Sequence, residues 1–88
     1  MNYDYSRIPQ ITLESLREYV EHRVPTGGFL KAVLTNKLSE SFSRADNGNC
    51  AAMFDIVHYC YNKIPSACWG SDEKYENWLY GRSRKEEE

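Results

Sequence analysis

Apolar side chains recur at the spacing of an α-helix between residues 29 and 45. They are Phe29, Leu30, Val33, Leu34, Leu38, Phe42 and Ala45. Residues three and four apart lie on one face of a helix, so this spacing predicts one amphipathic helix over about 28–44. The strict alternation that marks a β-strand is absent, and no internal repeat is visible. The pattern therefore favours an all-α fold.

Two segments on either side of this helix show the same spacing. The first carries Leu13, Leu16, Val20 and Val24, and the second carries Met53, Phe54, Val57, Cys60, Tyr61 and Ile64. They predict helices over about 13–23 and 48–64. Thr12 is the candidate N-cap of the first, and Asp46 is that of the second, or Asn47 or Asn49 if that helix starts later. Pro25 and Pro65 would end them. Phe29 and Phe54 are both expected in the core.

A short fourth helix is predicted over about 72–80. Ser71 followed by two acidic residues is typical of a helix start, and Gly81 of a helix end. So short a helix is not stable alone, and we expect Trp78 and Trp69 to hold it against the others. The whole is a compact single-domain bundle of about four helices.

The 88 residues suffice for one hydrophobic core. We expect one helical domain over 1–81 with a short N-terminal arm, 1–10, and a charged flexible tail, 82–88. No stretch approaches the roughly 20 apolar residues that span a bilayer, and we expect no secretory signal. We therefore expect a cytoplasmic protein. Cysteines at 50, 60 and 68 suit reduced thiols, although pairing of Cys60 with Cys68 under oxidation stays open.

Charge and motif content argue against several classes of function. The formal net charge is −2, and the basic residues are dispersed, which disfavours nucleic acid and leaves a DNA-associated regulator as a lesser alternative. The Cys and His spacing does not suit zinc, and no cofactor is expected. Asp55 and His58 could form an acid–imidazole pair on one helix face, but no nucleophile motif accompanies them. We expect no enzymatic activity.

Aromatic residues exceed what a core of this size needs. The chain has seven Tyr, three Phe and two Trp, and several Tyr lie off the apolar stripes. Tyr and Trp dominate the energetics of protein interfaces, so the surplus favours a protein-binding surface. The candidate residues are Tyr3, Tyr5, Arg7, Asp55, His58 and Tyr59. A homo-oligomer is a further alternative.

A second candidate site lies at the start of the helix predicted over 28–44. Free N–H groups at a helix start can bind an anion, and Thr26-Gly27-Gly28 precedes such a start. Arg23, Thr26, Gly27, Gly28 and Lys31 are the residues within reach of an anion or a nucleotide. The same two glycines also suit a tight structural turn, and no P-loop pattern follows.

Residues 19–38, which read YVEHRVPTGGFLKAVLTNKL, resemble a family of small uncharacterised proteins of phages, prophages and mobile elements. Residues 44–46 and 64–71 (IPSACWGS) are similar to the same family, so the resemblance extends over about 11–80. It implies an accessory protein that acts by stoichiometric binding, for example an inhibitor of a host bacterial defence protein, anti-CRISPR-like or of another counter-defence type. The alternative is a sponge that sequesters a small anionic signalling nucleotide.

Overall fold

The computed structural model describes residues 4–81, which form an all-α domain. The elements are α1 (Gln10–His22), α2 (Gly28–Leu34), α3 (Leu38–Arg44), α4 (Asn47–Ala51), α5 (Met53–Lys63), a 3-10 turn (Ser66–Cys68) and α6 (Asp72–Tyr80). The all-α prediction is confirmed, and the bundle contains more helices than about four because two predicted helices are interrupted. The predicted tail and Tyr3 lie outside the described residues.

The helix predicted over 28–44 breaks into α2 and α3 at Asn36. Asn36 has a left-handed backbone, with φ of 65°. Its amide donates to the carbonyl of Val33 at 3.1 Å, and the amide of Lys37 donates to the carbonyl of Ala32 at 2.9 Å. These two bonds form a Schellman motif, in which Asn is the residue that best replaces Gly. The prediction of one continuous helix was wrong here because helical spacing carries no information on the turn residue.

The helix predicted over 48–64 is interrupted at Ala52. Asp46 caps α4 as predicted, by accepting a hydrogen bond from the amide of Asn49 at 2.8 Å. The amide of Ala52 is then shared between the carbonyls of Gly48 and Asn49, at 3.1 and 3.2 Å. A shared bond of this kind tightens the last turn of a helix. The five-residue α4 therefore ends, and α5 starts at Met53.

The first helix begins at Gln10, earlier than the predicted start at 13. The carbonyl of Pro9 accepts hydrogen bonds from the amides of Thr12 and Leu13, at 3.0 and 3.1 Å. Pro9 has no backbone N–H that would need a hydrogen-bond acceptor, so it is well suited to this end of the helix. Thr12 is consequently inside α1 and not its cap. Its hydroxyl donates to Oδ1 of Asn49 at 2.6 Å and joins α1 to α4.

The core draws on α1, α2, α5, α6, the segment before α1 and the 3-10 turn. Its most deeply buried large side chains are Leu16, Tyr19, Leu34, Ile56, Cys60 and Cys68. On α5 the buried stripe is Met53, Ile56 and Cys60, continued by Ile64. Phe54 was predicted on this stripe and is instead 70% exposed, whereas Phe29 is half-buried. Two adjacent apolar stripes run along this segment, and packing against the other helices selects one of them.

The last helix, α6, occupies the predicted residues 72–80 and closes the bundle over α1. Ser71 caps it through the amide of Lys74 at 3.1 Å, and Gly81 ends it with φ of 68°. The indole of Trp78 donates to the carbonyl of Tyr19 at 2.9 Å. The ring of Tyr75 stacks on that of Tyr19, with 5.2 Å between centroids. Within residues 4–81, no helix is both long and apolar enough to cross a bilayer.

Candidate functional site

The segment before α1 lies against α5 through Tyr5. The Tyr5 hydroxyl is 3.0 Å from Nδ1 of His58, within hydrogen-bond distance. The Tyr5 ring also meets the Tyr59 ring edge to face, with 5.1 Å between centroids and 86° between planes. Edge-to-face contacts of this kind add to the energy of burial. Tyr5 is therefore fixed by two residues on successive positions of α5.

An ion pair joins the same segment to α5 one turn earlier. Nε of Arg7 lies 3.3 Å from Oδ2 of Asp55, whose side chain is only 6% exposed, whereas that of Arg7 is 76% exposed. The arginine therefore covers a nearly buried carboxylate and still presents its guanidinium to solvent. The next residue, Ile8, is buried in the core and anchors the segment.

These contacts create one continuous surface, which we call the arm face. It consists of Tyr5, Arg7, Phe54, Asp55, His58 and Tyr59. The Phe54 ring lies 5.7 Å from the ring of His58. The structure thus brings together every predicted protein-binding residue that it describes and adds Phe54. Helical spacing assigned Phe54 to the core, and only its position four residues before His58 indicates that the two rings share a side.

The predicted anion-binding residues do not converge on one point. Arg23 has a left-handed backbone, donates to the carbonyl of Trp78 at 2.8 Å, and places its guanidinium 3.9 Å from the Trp78 ring centroid. The amide of Thr26 donates to the hydroxyl of Tyr75 at 3.2 Å, so this N–H is used within the fold. Arg23 and Thr26 therefore fasten the connection between α1 and α2 to α6.

Gly28 and Lys31 line a cleft of about 270 Å³, while Gly27 precedes α2 in extended conformation. The other lining residues are Ala32, Thr35, Lys37, Glu40, Arg44 and Asp72. Two ion pairs line it: Lys37 with Asp72 at 2.6 Å, and Arg44 with Glu40 on the same helix at 2.9 Å. The carboxylates offset two of the three cations in the cleft. Lys31 is left as the source of net positive charge.

The three cysteines lie on α4, α5 and the 3-10 turn. All three are free thiols; Cys50 is exposed, and Cys60 and Cys68 are buried. Burial raises the pKa of Cys60 to about 12 and also raises that of Cys68. A thiol that stays protonated is a poor nucleophile and a poor ligand. Among the described residues, no three His, Cys, Asp or Glu side chains are grouped so that they could hold a metal ion.

Comparison with protein-family models, with curated proteins and with solved structures found no match to this chain. The resemblance to small phage and prophage proteins therefore stays a prediction.

Proposed function

We propose that this chain is a phage-type accessory protein that acts by stoichiometric binding, as an inhibitor of a host bacterial defence protein. One observation carries the proposal: the arm face presents an exposed aromatic ring and an exposed guanidinium on a surface whose other members are fixed by one another. The resemblance to phage proteins supplies the host context.

The composition of the arm face suits a protein partner. Large aromatic side chains and Arg are the residues that most often dominate the binding energy of protein interfaces. Phe54 exposes 70% of its surface beside His58, and Arg7 exposes 76% of its side chain beside Asp55. Binding would therefore remove the apolar surface of Phe54 from water. The guanidinium of Arg7 would form a charge-assisted hydrogen bond with the partner.

Pre-organisation also favours tight binding by this surface. Tyr5 is held by His58 and Tyr59, and Arg7 is held by Asp55. Side chains that already occupy their bound positions lose less conformational entropy on association. A small protein that must compete with a natural partner of its target gains from this property.

The test is capture of the partner by the full chain, tagged at its C-terminus. The bait is recovered from a nuclease-treated lysate of the bacterial host, and bound proteins are quantified by mass spectrometry. We expect one dominant host protein or complex at near-equal molar amount. Phe54→Ala should lower the recovery of that host protein at least about tenfold, since a central aromatic anchor contributes about 2 kcal/mol or more to the binding free energy.

Tyr80→Ala is the matched control, because Tyr80 is 62% exposed but lies on α6, outside the arm face. Tyr59 is a poorer probe, since its half-buried ring packs against the core and its loss would mix binding with stability. Equal recovery by wild type, Phe54→Ala and Arg7→Ala would contradict the proposal.

A nucleotide sponge is the second candidate, because Gly28 and Lys31 both line the cleft between α2 and α3. A nucleotide phosphate there would pair with Lys31 and draw Lys37 and Arg44 from their carboxylates. Cyclic AMP and cyclic di-GMP are suitable probes in a thermal-shift titration. Ligand bound to the folded state raises Tm, and Lys31→Ala should abolish that rise. An unchanged Tm with both nucleotides would count against this candidate.

A further inference from the structure

A groove runs along α1, beside the connection from α1 to α2. It consists of two cavities of about 240 and 230 Å³, which adjoin because Ile11 and Ser15 line both of them. We call the two together the α1 groove. Its apolar lining is Ile11, Val24, Pro25, Phe29 and Leu30.

The connection after α1 forms one wall of the α1 groove. Arg23 has a left-handed backbone, and its amide donates to the carbonyl of Tyr19 at 3.1 Å. The amide of Val24 donates to the carbonyl of Glu18 at 3.3 Å. These two bonds form a Schellman motif, after which Val24 and Pro25 line the same cavity as Glu18. The shape of the groove is therefore set by the fold itself.

The apolar part of the α1 groove is open to solvent. Ile11 is 74% exposed and Val24 is 42% exposed, while Phe29 is half-buried. Covering these side chains with an apolar group of a partner would remove their surface from water and favour binding.

Glu14 and Glu18 are the charged residues that line the α1 groove in the part of the chain that the structure describes. They are four residues apart on α1 and so lie on the same side of that helix. Glu14 accepts a hydrogen bond from the neutral amide of Gln10 at 3.0 Å, which leaves its charge uncompensated. Within residues 4–81 neither carboxylate is in an ion pair, although Arg17 lies between them in the sequence.

These unpaired carboxylates select the charge of the occupant. An acidic segment or a nucleic acid would bring further negative charge to Glu14 and Glu18. A two-fold contact between two copies over this groove would place like charges close together. A basic segment would instead pair with both carboxylates, and complementary charge of this kind fixes the partner and its register.

We propose that the α1 groove binds a basic amphipathic helix of a partner protein. Apolar side chains of that helix cover Ile11 and Val24, and its Lys or Arg side chains pair with Glu14 and Glu18. Cations four residues apart on a helix have the same spacing as the two carboxylates. No residue of the arm face lines the α1 groove, so the proposal does not depend on what the arm face binds.

Fluorescence anisotropy of a labelled amphipathic helix built only of Leu and Lys tests the proposal. The helix is titrated with the full chain at low ionic strength, and a counterpart built of Leu and Glu is titrated in parallel. We expect the Leu–Lys helix to bind at least about tenfold more tightly than the Leu–Glu helix, because only its charges complement the groove.

Two pairs of substitutions locate the electrostatic attraction. Combining Glu14→Gln with Glu18→Gln should raise the dissociation constant of the Leu–Lys helix about fivefold, since two exposed ion pairs are lost. Combining Glu21→Gln with Glu73→Gln changes the net charge equally at exposed positions outside the groove. This control should leave the dissociation constant nearly unchanged.

Three truncations locate the apolar contact. Ile11→Ala should raise the dissociation constant about tenfold, because the partner helix loses apolar surface that it would cover. Leu38→Ala truncates a similarly exposed side chain on α3, and Phe54→Ala truncates the arm face. Both controls should bind the Leu–Lys helix as the wild type does.

Failure of the Leu–Lys helix to bind, or equal binding of the Leu–Glu helix, would overturn the proposal. Equal losses from the two Gln pairs, or from Ile11→Ala and either control truncation, would also overturn it, since the attraction would then not come from the groove. Sedimentation velocity of the chain alone identifies one other occupant. A dimer that Ile11→Ala dissociates would assign the groove to a second copy and refute a basic helix as its partner.

Discussion

The hydroxyl of Tyr19 donates a hydrogen bond to the backbone carbonyl of Cys68 at 2.6 Å, in the centre of the molecule. Both residues are fully buried, and they belong to α1 and to the 3-10 turn before α6. The carbonyl of Tyr19 also accepts the indole N–H of Trp78 at 2.9 Å. Side chain and backbone of one residue therefore hold the C-terminal third of the domain against α1.

We expect Tyr19→Phe to lower the free energy of unfolding by about 1–3 kcal/mol, because it leaves the buried carbonyl of Cys68 without this donor. Urea denaturation measures the change. Tyr61→Phe is the matched control, since Tyr61 is 78% exposed and its hydroxyl is open to water. Equal stability of Tyr19→Phe and wild type would show that the bond contributes nothing net.

Stability should fall as the pH rises above about 9. Burial raises the pKa of Cys60 from 9.0 to about 12, and burial also raises the pKa values of Cys68 and Tyr19. Between these limits the unfolded chain releases protons that the folded chain retains, so ionisation favours unfolding. The stability that these protonated groups contribute is fully present below pH 9 and is lost as the pH approaches 12.

Urea midpoints measured at increasing pH test this dependence. The loss of stability per pH unit should be smaller in Cys60→Ala than in wild type, even though that variant starts from a lower stability. Cys50→Ala should keep the wild-type slope because Cys50 is exposed. Identical slopes for Cys60→Ala and wild type would rule out the buried thiol as a cause.

The choice between the two apolar stripes of α5 can be tested by two truncations. Ile56→Ala should cost about 2–5 kcal/mol because Ile56 is fully buried. Phe54→Ala removes a larger side chain and should change stability by no more than about 0.5 kcal/mol, because the ring is largely in water. Chemical denaturation of both variants decides the matter. A greater loss from Phe54→Ala would restore Phe54 to the core.

Substitutions at Asn36 test the break between α2 and α3. The left-handed backbone accepts Gly without strain. The free energy of unfolding of Asn36→Gly should therefore be about 1 kcal/mol higher than that of Asn36→Ala. Arg17, an exposed residue inside α1, provides the opposite control. There Arg17→Ala should be more stable than Arg17→Gly by about the same amount. If residues 28–44 formed one helix, both positions would favour Ala.

Cys50 should react quickly with a thiol reagent, and Cys60 and Cys68 slowly, since Cys50 is exposed and the other two are buried. An aromatic disulfide reagent should modify Cys50 at once, and Cys60 and Cys68 only when the domain opens. Cys50→Ala should remove the fast phase entirely. A fast phase that remains in this variant would contradict the burial of the other two thiols.

Local signals predicted most of the elements and part of the site. Asp46 and Ser71 are caps and Gly81 ends α6, as predicted. Tyr5 and Arg7 were named as candidate residues, but their contacts with α5 were not predicted. Tyr19, the largest of the fully buried side chains, was missed, because an isolated Tyr between Glu18 and Val20 carries no signal of burial. The contacts of Arg23 and Thr26 with α6 were also missed, because each joins residues far apart in the chain.

The sequence by itself determined that this chain is helical and approximately where four helical segments begin and end, because spacing, caps and turn residues act through neighbours a few positions away. The breaks at Asn36 and Ala52 inside two of these segments were not predicted. Only the tertiary structure decided which side of α5 is buried. The stripes led by Met53 and Phe54 have the same helical spacing, so intrinsic preference cannot separate them. Packing into the core buries the Met53 stripe and leaves Phe54 on the arm face.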